Sequence, residues 1–389
     1  MSEKGKLFFE LLQVSIGCRS RLSVIPTNEG WASMLDIAAK QSLVGIIFTG
    51  VERLPKEQWP EKQIVLQWMA LTSQIEQRNV QTTEVCQELI KKFEADGFKT
   101  CILKGQANYA YYPKELKNRR TCGDIDIWVK PIDVECKHPV KSVLEFLEEK
   151  ELIESLCYLH AEIKPVNGVP VEVHFRPSFM NEPRHNSRFL NLFSNFDRCI
   201  LQKDINGVKL PALKAKYDII FQLCHLYRHL IDEGVGLRQV LDYYYLLKSE
   251  ECRVMSEVVD GVASLAEESS TAIQHTLKHL GLLKFASALM WVMQEVFDLP
   301  EKSMICKTSE KEGNFLLEEI MLAGNFGQGD SRMVQLQFKK GNTSFQVKRA
   351  LRRIRRNFRF IHYYPSEVVW EPIARIEHLV WRKYHLWNH

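Results

Sequence analysis

The sequence predicts an α+β protein in which a small mixed sheet is flanked by helical regions on both sides along the chain. Apolar residues recur at helical spacing before residue 97 and again after residue 180. Between these limits, short apolar runs and turn residues follow one another in the order strand, helix, strand, helix, strand, strand. A run of alternating acidic and apolar residues, Asp124 to Val129, lies within this central part and predicts a buried strand.

The composition is that of an ordinary globular protein, with 45% hydrophobic and 26% charged residues in a chain of 389. The ten cysteines include no C-x-x-C pair, which predicts reduced thiols and a cytoplasmic location. No apolar stretch reaches the length of a membrane-spanning helix. The sequence therefore points away from a membrane-spanning or disulfide-stabilised protein, and it indicates no oligomeric state.

Residues 1–96 form the predicted N-terminal helical region. Prolines 26, 55 and 60 separate its segments, and Gly97 follows the last of them in the position of a C-cap glycine. Leu7, Leu11, Leu12 and Val14 predict a first amphipathic helix. The helices predicted after it are Trp31–Lys40, Ser42–Leu54 and a long one from Glu61 to Asp96.

Residues 97–180 form the predicted α/β core. Asn167-Gly168 is a strong hairpin turn, so the strands on either side of it should pair. The predicted strands are Phe98–Leu103, Ile125–Val129, Leu152–Pro165 and Val169–Phe175, and the predicted helices are Gln106–Tyr112 and Val140–Lys150.

Residues 181–330 are predicted to return to helix, and residues 331–389 to form a basic C-terminal helical segment. The clearest helices are Ala215–Leu230 and Gly236–Leu247, and two more are expected within Val254–Ala288. A final helix is expected over Ile373–Trp387. The chain thus divides into four predicted regions along its length.

Asp124 and Asp126 are the first candidate functional residues. Residues two apart share one face of a strand, so both carboxylates point the same way while Ile125, Ile127 and Val129 point into a core. Two carboxylates this close repel each other unless positive charge lies between them. A divalent metal ion is the usual source of that charge.

A third carboxylate is predicted on the last core strand. Glu172 alternates with Val171 and Val173, and it shares its face with His174. If this strand lies beside the strand of Asp126, three acidic groups converge on one surface. Such a set suits one or two Mg²⁺ ions, which bridge phosphate oxygens and lower the pKa of an attacking hydroxyl.

The runs Leu103-Lys104-Gly105, Arg120, Gly123-Asp124-Ile125-Asp126 and Val171-Glu172-Val173-His174 resemble the uncharacterised nucleotidyltransferase family of the polymerase-beta-like nucleotidyltransferase superfamily. The resemblance implies a nucleotidyltransferase core with Asp124, Asp126 and Glu172 as catalytic metal ligands. It implies nucleotide contacts from Lys104, Gly105, Arg120 and Gly123. It also implies Mg²⁺ or Mn²⁺ as cofactor, an NTP such as ATP as substrate, and transfer of a nucleoside monophosphate to an unidentified acceptor with release of pyrophosphate.

The phosphate turn departs from the superfamily pattern, because Lys104-Gly105 stands where Gly-Ser is usual. Lys104 offers a point charge in place of the missing hydroxyl. A second interpretation makes Lys104 and Arg120 structural ion-pair partners of the acidic cluster. Weaker similarity over Phe221–Leu247 implies an acceptor-side group, to which His174 is added from the core: His174, His225, His229, Arg238 and Asp242. The alternative is that the helical residues serve inter-helix packing or ion pairs and that His174 is a hydrogen-bonded strand histidine without a role in binding.

The basic segment over residues 345–362 is the last candidate. Between Ser331 and Ser366 there is no Asp or Glu. An apolar stripe is expected to pack on the body of the protein, while the basic face, Lys348–Arg359, offers a contact for nucleic acid. An anionic membrane ranks below nucleic acid, because the stripe is poor in Trp and Phe. The stripe consists of Val347, Leu351, Ile354, Phe358 and Ile361.

Two other functions compete with enzymatic transfer. The first is a nucleotide-binding or regulatory module without catalytic activity. The second is a nucleic-acid-binding protein that uses the basic C-terminal helix. The three hypotheses differ in whether pyrophosphate is released and in whether binding falls steeply with salt.

Overall fold

The computed structural model describes residues 3–133, 135–252, 272–325 and 343–387. Residues 272–279 are also helical. Residues 253–271 lie outside the described residues, so the structure covers only part of the segment Val254–Ala288 in which two helices were predicted. Within the described residues the α-helices are α1 (Glu3–Ser15), α2 (Asn28–Lys40), α3 (Val44–Arg53), α4 (Lys62–Ala95), α5 (Lys114–Lys117), α6 (Pro139–Glu149), α7 (Pro183–Leu192), α8 (Phe196–Cys199), α9 (Ala215–Asp232), α10 (Leu237–Lys248), α11 (Leu283–Phe297), α12 (Glu310–Ala323), α13 (Thr343–Phe360) and α14 (Pro365–Trp387).

The chain forms two compact units, and each is assembled from separate segments. The four consecutive regions predicted above stay a prediction of how the chain is organised. None of the helices in the described part of the chain combines the length and apolar content that crossing a bilayer requires. Unit 1 contains Met1–Glu76, Pro113–Thr121 and Leu226–Val368, and unit 2 contains Gln77–Tyr112, Cys122–His225 and Val369–His389.

Unit 1 is helical, and long-range hydrogen bonds satisfy the buried polar groups of Gln41 and Trp68 in it. The buried amide of Gln41 donates to the carbonyl of Ile320 (3.2 Å) and accepts from the amide N–H of Leu237 (2.8 Å). Trp68 is fully buried and donates through its indole N–H to the carbonyl of Val44 (3.2 Å). These bonds remove the cost of burying unpaired polar atoms.

Unit 2 contains a seven-stranded mixed sheet, which confirms the predicted α+β class. The strands are β1 (Phe98–Ile102), β2 (Ile125–Pro131), β3 (Ile153–Leu156), β4 (His160–Val166), β5 (Val169–His174), β6 (Ile200–Ile205) and β7 (Val208–Leu213). The strand order is β3-β4-β5-β2-β1-β7-β6, so β2 lies at the centre. β2 pairs antiparallel with β1 and parallel with β5.

The two faces of β2 are buried in different surroundings. Ile125, Ile127 and Val129 belong to the main apolar core of this unit, as the alternation predicts. On the other face, Trp128 packs on Phe196, with ring centroids 4.5 Å apart. Asp126 precedes Trp128 on that second face, so the carboxylates lie at the start of the strand and the aromatic residues cover the part that follows.

Two strand predictions were wrong in detail. The predicted strand Leu152–Pro165 is two antiparallel strands, β3 and β4, joined by a tight connection in which the amide of Cys157 donates to the carbonyl of His160 (3.0 Å). The region predicted to be helical after residue 181 contains the hairpin of β6 and β7. Its turn, Asn206-Gly207, has positive φ at both residues and is the same hairpin signal as Asn167-Gly168.

The predicted helix Gln106–Tyr112 is a 3-10 helix over Gly105–Ala110.

Three residues of the apolar stripe of α13 do not pack on the body, which corrects the prediction from its sequence for them; the side chain of Val347 lies outside the described part, and Ile361 is half-buried. Leu351, Ile354 and Phe358 are 52%, 50% and 70% exposed. Among the side chains of this helix that the structure describes, the buried one is that of Phe360, and its ring lies 5.2 Å from that of Phe315. The helix therefore contacts unit 1 through a face other than its apolar stripe.

A buried polar network anchors the 3-10 helix that follows β1. Tyr111 donates to Asp218 (2.6 Å) and accepts from Lys203. Gln222 donates to both Asn108 and Asp218, at 2.9 Å each. Lys203 and Asp218 are 3% and 1% exposed, so these charges depend on their partners inside the protein. The network fixes the segment that begins at the predicted phosphate turn.

We expect Tyr111→Phe to destabilise the protein by about 1–3 kcal/mol, because two buried charged groups lose their shared hydroxyl. Denaturant unfolding measures the loss. Tyr384→Phe, at a tyrosine that is 64% exposed, removes the same atom from the surface and should change the unfolding midpoint very little. Equal midpoints for the two variants would show that the network contributes no net stability.

Candidate active site

Three carboxylates meet on one face of the sheet, where the strands β2 and β5 lie side by side. Asp124 immediately precedes β2, Asp126 lies within it, and Glu172 lies on β5. The parallel register sets Asp126 directly opposite Glu172. One carboxylate oxygen from each of the three residues lies within 4.8 Å of the others. The two sequence motifs, separated by more than forty residues, therefore form one acidic cluster.

The three carboxylates differ in their access to water. The side chain of Asp126 is 1% exposed, whereas those of Asp124 and Glu172 are 30% and 21% exposed. A ligand approaching from solvent meets Asp124 and Glu172 first. Asp126 forms the floor of the cluster, where its negative charge needs a compensating positive group.

Lys104 supplies part of that compensation. Its Nζ lies 3.0 Å from Oδ2 of Asp126 and 3.8 Å from Oδ1 of Asp124. Burial by itself lowers the pKa of Lys104, but the carboxylates of Asp124, Asp126 and Glu172 outweigh it, so the pKa lies above its ordinary value. Lys104 is therefore a permanent cation beside the cluster.

His174 supplies the second compensating charge. Its Nε2 lies 2.9 Å from Oδ1 of Asp126 and 3.2 Å from Oε2 of Glu172. Burial lowers the pKa of His174, but the hydrogen bonds to the two carboxylates raise it to about 9. Burial raises the pKa of Glu172, but the hydrogen bond with His174 and the charge of His160 lower it to about 2. An imidazolium thus bridges two of the three carboxylates.

His160 is a member of the site that the sequence did not predict. It lies on β4 directly opposite His174, and its Nδ1 is 3.2 Å from Oε2 of Glu172. A strict two-residue hairpin at Asn167-Gly168 would set His160 opposite Phe175. A register shift between Ile163 and Val166 moves it by one residue and onto the face of Glu172.

The predicted phosphate turn has the conformation that requires glycine. Gly105 has φ of +64° and is buried, and it directly follows Lys104. A Cβ added at Gly123 would meet no atom within 4 Å, so the backbone before Asp124 is open on that side. The nucleotide contacts of these two glycines stay a prediction.

Arg120 lies in unit 1, together with Arg238 and Asp242. Its guanidinium makes a two-pronged pair with Asp242, with Nε to Oδ1 at 2.6 Å and Nη2 to Oδ2 at 2.7 Å. Arg120 is 2% exposed. Arg238 donates to the carbonyl of Thr121 (3.3 Å). These contacts are structural, and the predicted role of Arg120 in holding triphosphate stays a prediction.

The two helix histidines of the predicted acceptor side make local contacts. His225 stacks on Phe221, with ring centroids 5.8 Å apart. Nδ1 of His229 lies 3.4 Å from Oε2 of Glu233, and its Nε2 lies 3.1 Å from Arg228. Nothing in these contacts indicates an acceptor, so the acceptor-side role of both residues stays a prediction.

Within the described ranges, two overlapping sets of side chains have the proximity that one metal ion needs. The first is Asp124, Asp126 and Glu172, and the second is His160, Glu172 and His174. Three carboxylates fit a hard cation such as Mg²⁺ or Mn²⁺, which prefers oxygen ligands. The second set adds two imidazoles, which suit softer ions. The carboxylate set fits the metal expected from the sequence.

The fold and the cluster together define an α+β protein with a carboxylate site on two central strands. A family model described as uncharacterised nucleotidyltransferase matches residues 27–298, and the chain belongs to that family. A crystal structure of an antigenic nucleotidyltransferase-like protein from Paracoccidioides brasiliensis is similar at 13% identity and a TM-score of 0.29, over 48% of this chain and 90% of that one. The comparison with curated proteins gave no match.

The pair of His174 with its carboxylates predicts a pH-dependent stability. The folded pKa of about 9 lies above the ordinary value of about 6.5, so ionisation of His174 stabilises the fold fully below pH 6.5 and loses its effect as the pH rises through 9. We expect the stability difference between the chelator-treated wild type and His174→Gln to shrink over this range, from a value on the order of 3 kcal/mol.

Unfolding at a series of pH values measures this difference. His362→Gln, at an exposed histidine, is the matched control and should give a small difference that does not change with pH. A His174→Gln difference that stays constant from pH 6 to about 9.5 would contradict the ionised state assigned to His174.

Proposed function

We propose that this protein is a metal-dependent nucleotidyltransferase that moves a nucleoside monophosphate from an NTP to an acceptor hydroxyl or phosphate and releases pyrophosphate. The observation that carries the proposal is the register of β2 with β5, which brings Asp124, Asp126 and Glu172 together in a chain of this family. ATP is the first nucleotide to test. The ten cysteines form no disulfide, which supports a reducing compartment such as the cytoplasm.

Asp124, Asp126 and Glu172 would hold the divalent metal. When bound, such an ion neutralises phosphate charge and lowers the pKa of an attacking hydroxyl. Lys104 would contact the triphosphate as a point charge, and the positive φ of Gly105 lets the backbone approach it closely. His174 would hold Asp126 and Glu172 in place through its two hydrogen bonds.

A nucleotide-binding module without transfer activity is the second candidate. Lys104 and His174 already neutralise much of the acidic cluster, so a divalent ion has to compete with an internal cation. Such a module would bind NTP in calorimetry and release no pyrophosphate with any acceptor. Pyrophosphate release is therefore the measurement that separates the two functions.

We expect Asp126→Asn and Glu172→Gln to lower pyrophosphate release by about a hundredfold or more, because each removes a metal-binding charge. The assay supplies Mg²⁺ or Mn²⁺, each of the four NTPs in turn, and a panel of acceptors that includes small alcohols, RNA ends and the protein itself. Glu154→Gln removes an exposed carboxylate from β3 and should keep the wild-type rate. Wild-type protein that binds NTP but never releases pyrophosphate would overturn the enzymatic proposal.

We expect Lys104→Met to bind Mn²⁺ at least about tenfold more tightly than the wild type, because its ammonium no longer competes for Asp126 and Asp124. Calorimetric titration without nucleotide measures the metal affinity. Lys164→Met changes an exposed lysine on β4 and should leave that affinity unchanged. Equal affinities of the wild type and Lys104→Met would mean that the ammonium does not compete with the metal.

A further inference from the structure

Helix α13 is amphipathic, and its polar side rather than its apolar side is held against unit 1. Arg356 donates to the carbonyl of Asp232, and Nε of Arg359 lies 2.9 Å from Oε1 of Glu319. Phe360 is 1% exposed beside Phe315. In an ordinary surface helix the apolar stripe makes these contacts. Here arginines and one terminal aromatic ring make them.

The apolar stripe of α13 is consequently presented to solvent. Leu351, Ile354 and Phe358 follow at spacings of three and four, so they line one side of the helix, and each is at least half exposed. Among the described side chains of α13, these three are the exposed large apolar ones. A contiguous exposed apolar row of this kind marks an interaction surface.

Every Lys, Arg, Asp or Glu position in the sequence of α13 is Lys or Arg. Arg355 is exposed one residue after Ile354, and the sequence of the helix adds Lys348, Arg349 and Arg352. No acidic residue occurs from Ser331 to Ser366. An apolar row next to basic residues is complementary to a partner that has an apolar interior and an anionic surface.

We propose that α13 is a binding surface for the interface of an anionic lipid bilayer. Leu351, Ile354 and Phe358 would enter the boundary between headgroups and acyl chains, while the exposed Arg355 pairs with a lipid phosphate. A nucleic acid would use the arginines and leave Leu351 and Ile354 in water. A second copy of α13 would bring two basic rows together. The sequence ranks a membrane below nucleic acid because the stripe is poor in Trp and Phe. The exposure of these three apolar side chains, with Phe358 the most exposed at 70%, favours an apolar partner instead.

The test is flotation of the full chain with vesicles of phosphatidylcholine alone or of phosphatidylcholine with phosphatidylserine. We expect binding to the anionic vesicles only, and weaker binding as salt is raised. Replacing Leu351, Ile354 and Phe358 together by Gln should lower vesicle partitioning on the order of tenfold or more. The single variant Phe358→Gln should lower it in the same direction and changes less of the helix.

A matched control replaces Leu66, Met69 and Val80 by Gln, since these side chains are 47%, 50% and 57% exposed on α4. The control should bind anionic vesicles as the wild type does. Equal losses in the two triple variants, or equal binding to neutral vesicles, would overturn the proposal. It would also fail if the stripe variant kept full vesicle binding while Arg355→Gln weakened binding to a homopolymer RNA, or if the stripe governed only self-association of the chain.

Discussion

The parallel pairing of β2 with β5 is the constraint on which the candidate site depends. Main-chain hydrogen bonds of this ladder hold Asp126 directly opposite Glu172, with Asp124 just before the strand. Carboxylates at this separation repel one another, and Asp126 is almost fully buried. The fold therefore has to supply positive charge next to the ladder. Lys104 lies two residues after the end of β1, and His174 is the last residue of β5.

These two cations connect stability with function. An internal ammonium and imidazolium allow the acidic cluster to exist in the folded chain before any ligand arrives. They also compete with the ligands that an acidic cluster attracts. A divalent ion must outweigh the attraction of Lys104 for Asp126, and a triphosphate that draws Lys104 away would free Asp126 for the metal. Metal and nucleotide binding should then favour each other.

The sequence predicted the parts of this site that depend on local alternation, and it missed those that depend on long-range register. Asp124, Asp126 and Glu172 follow from period-two patterns in two strands and from the family resemblance. His160 escaped because a bulge near Val166 shifts the hairpin by one residue, and a shift of one moves a side chain to the other face. The pair of Arg120 with Asp242 joins residues 122 apart in the chain, and no local pattern encodes such a contact.

Helix α13 shows the same limit of sequence-based prediction, here for the direction in which an apolar stripe packs. The spacing of Leu351, Ile354 and Phe358 correctly predicts a helix with one apolar stripe, but periodicity carries no information about where that stripe points. The direction is set by contacts from other segments, here Asp232 and Glu319, which hold the arginine side. Burying an apolar row is normally favourable, so a helix fixed with that row outward forgoes stability in the isolated chain. That loss is recovered only when the row meets an apolar partner, and the surrounding positive charge restricts the partner to one with an anionic surface.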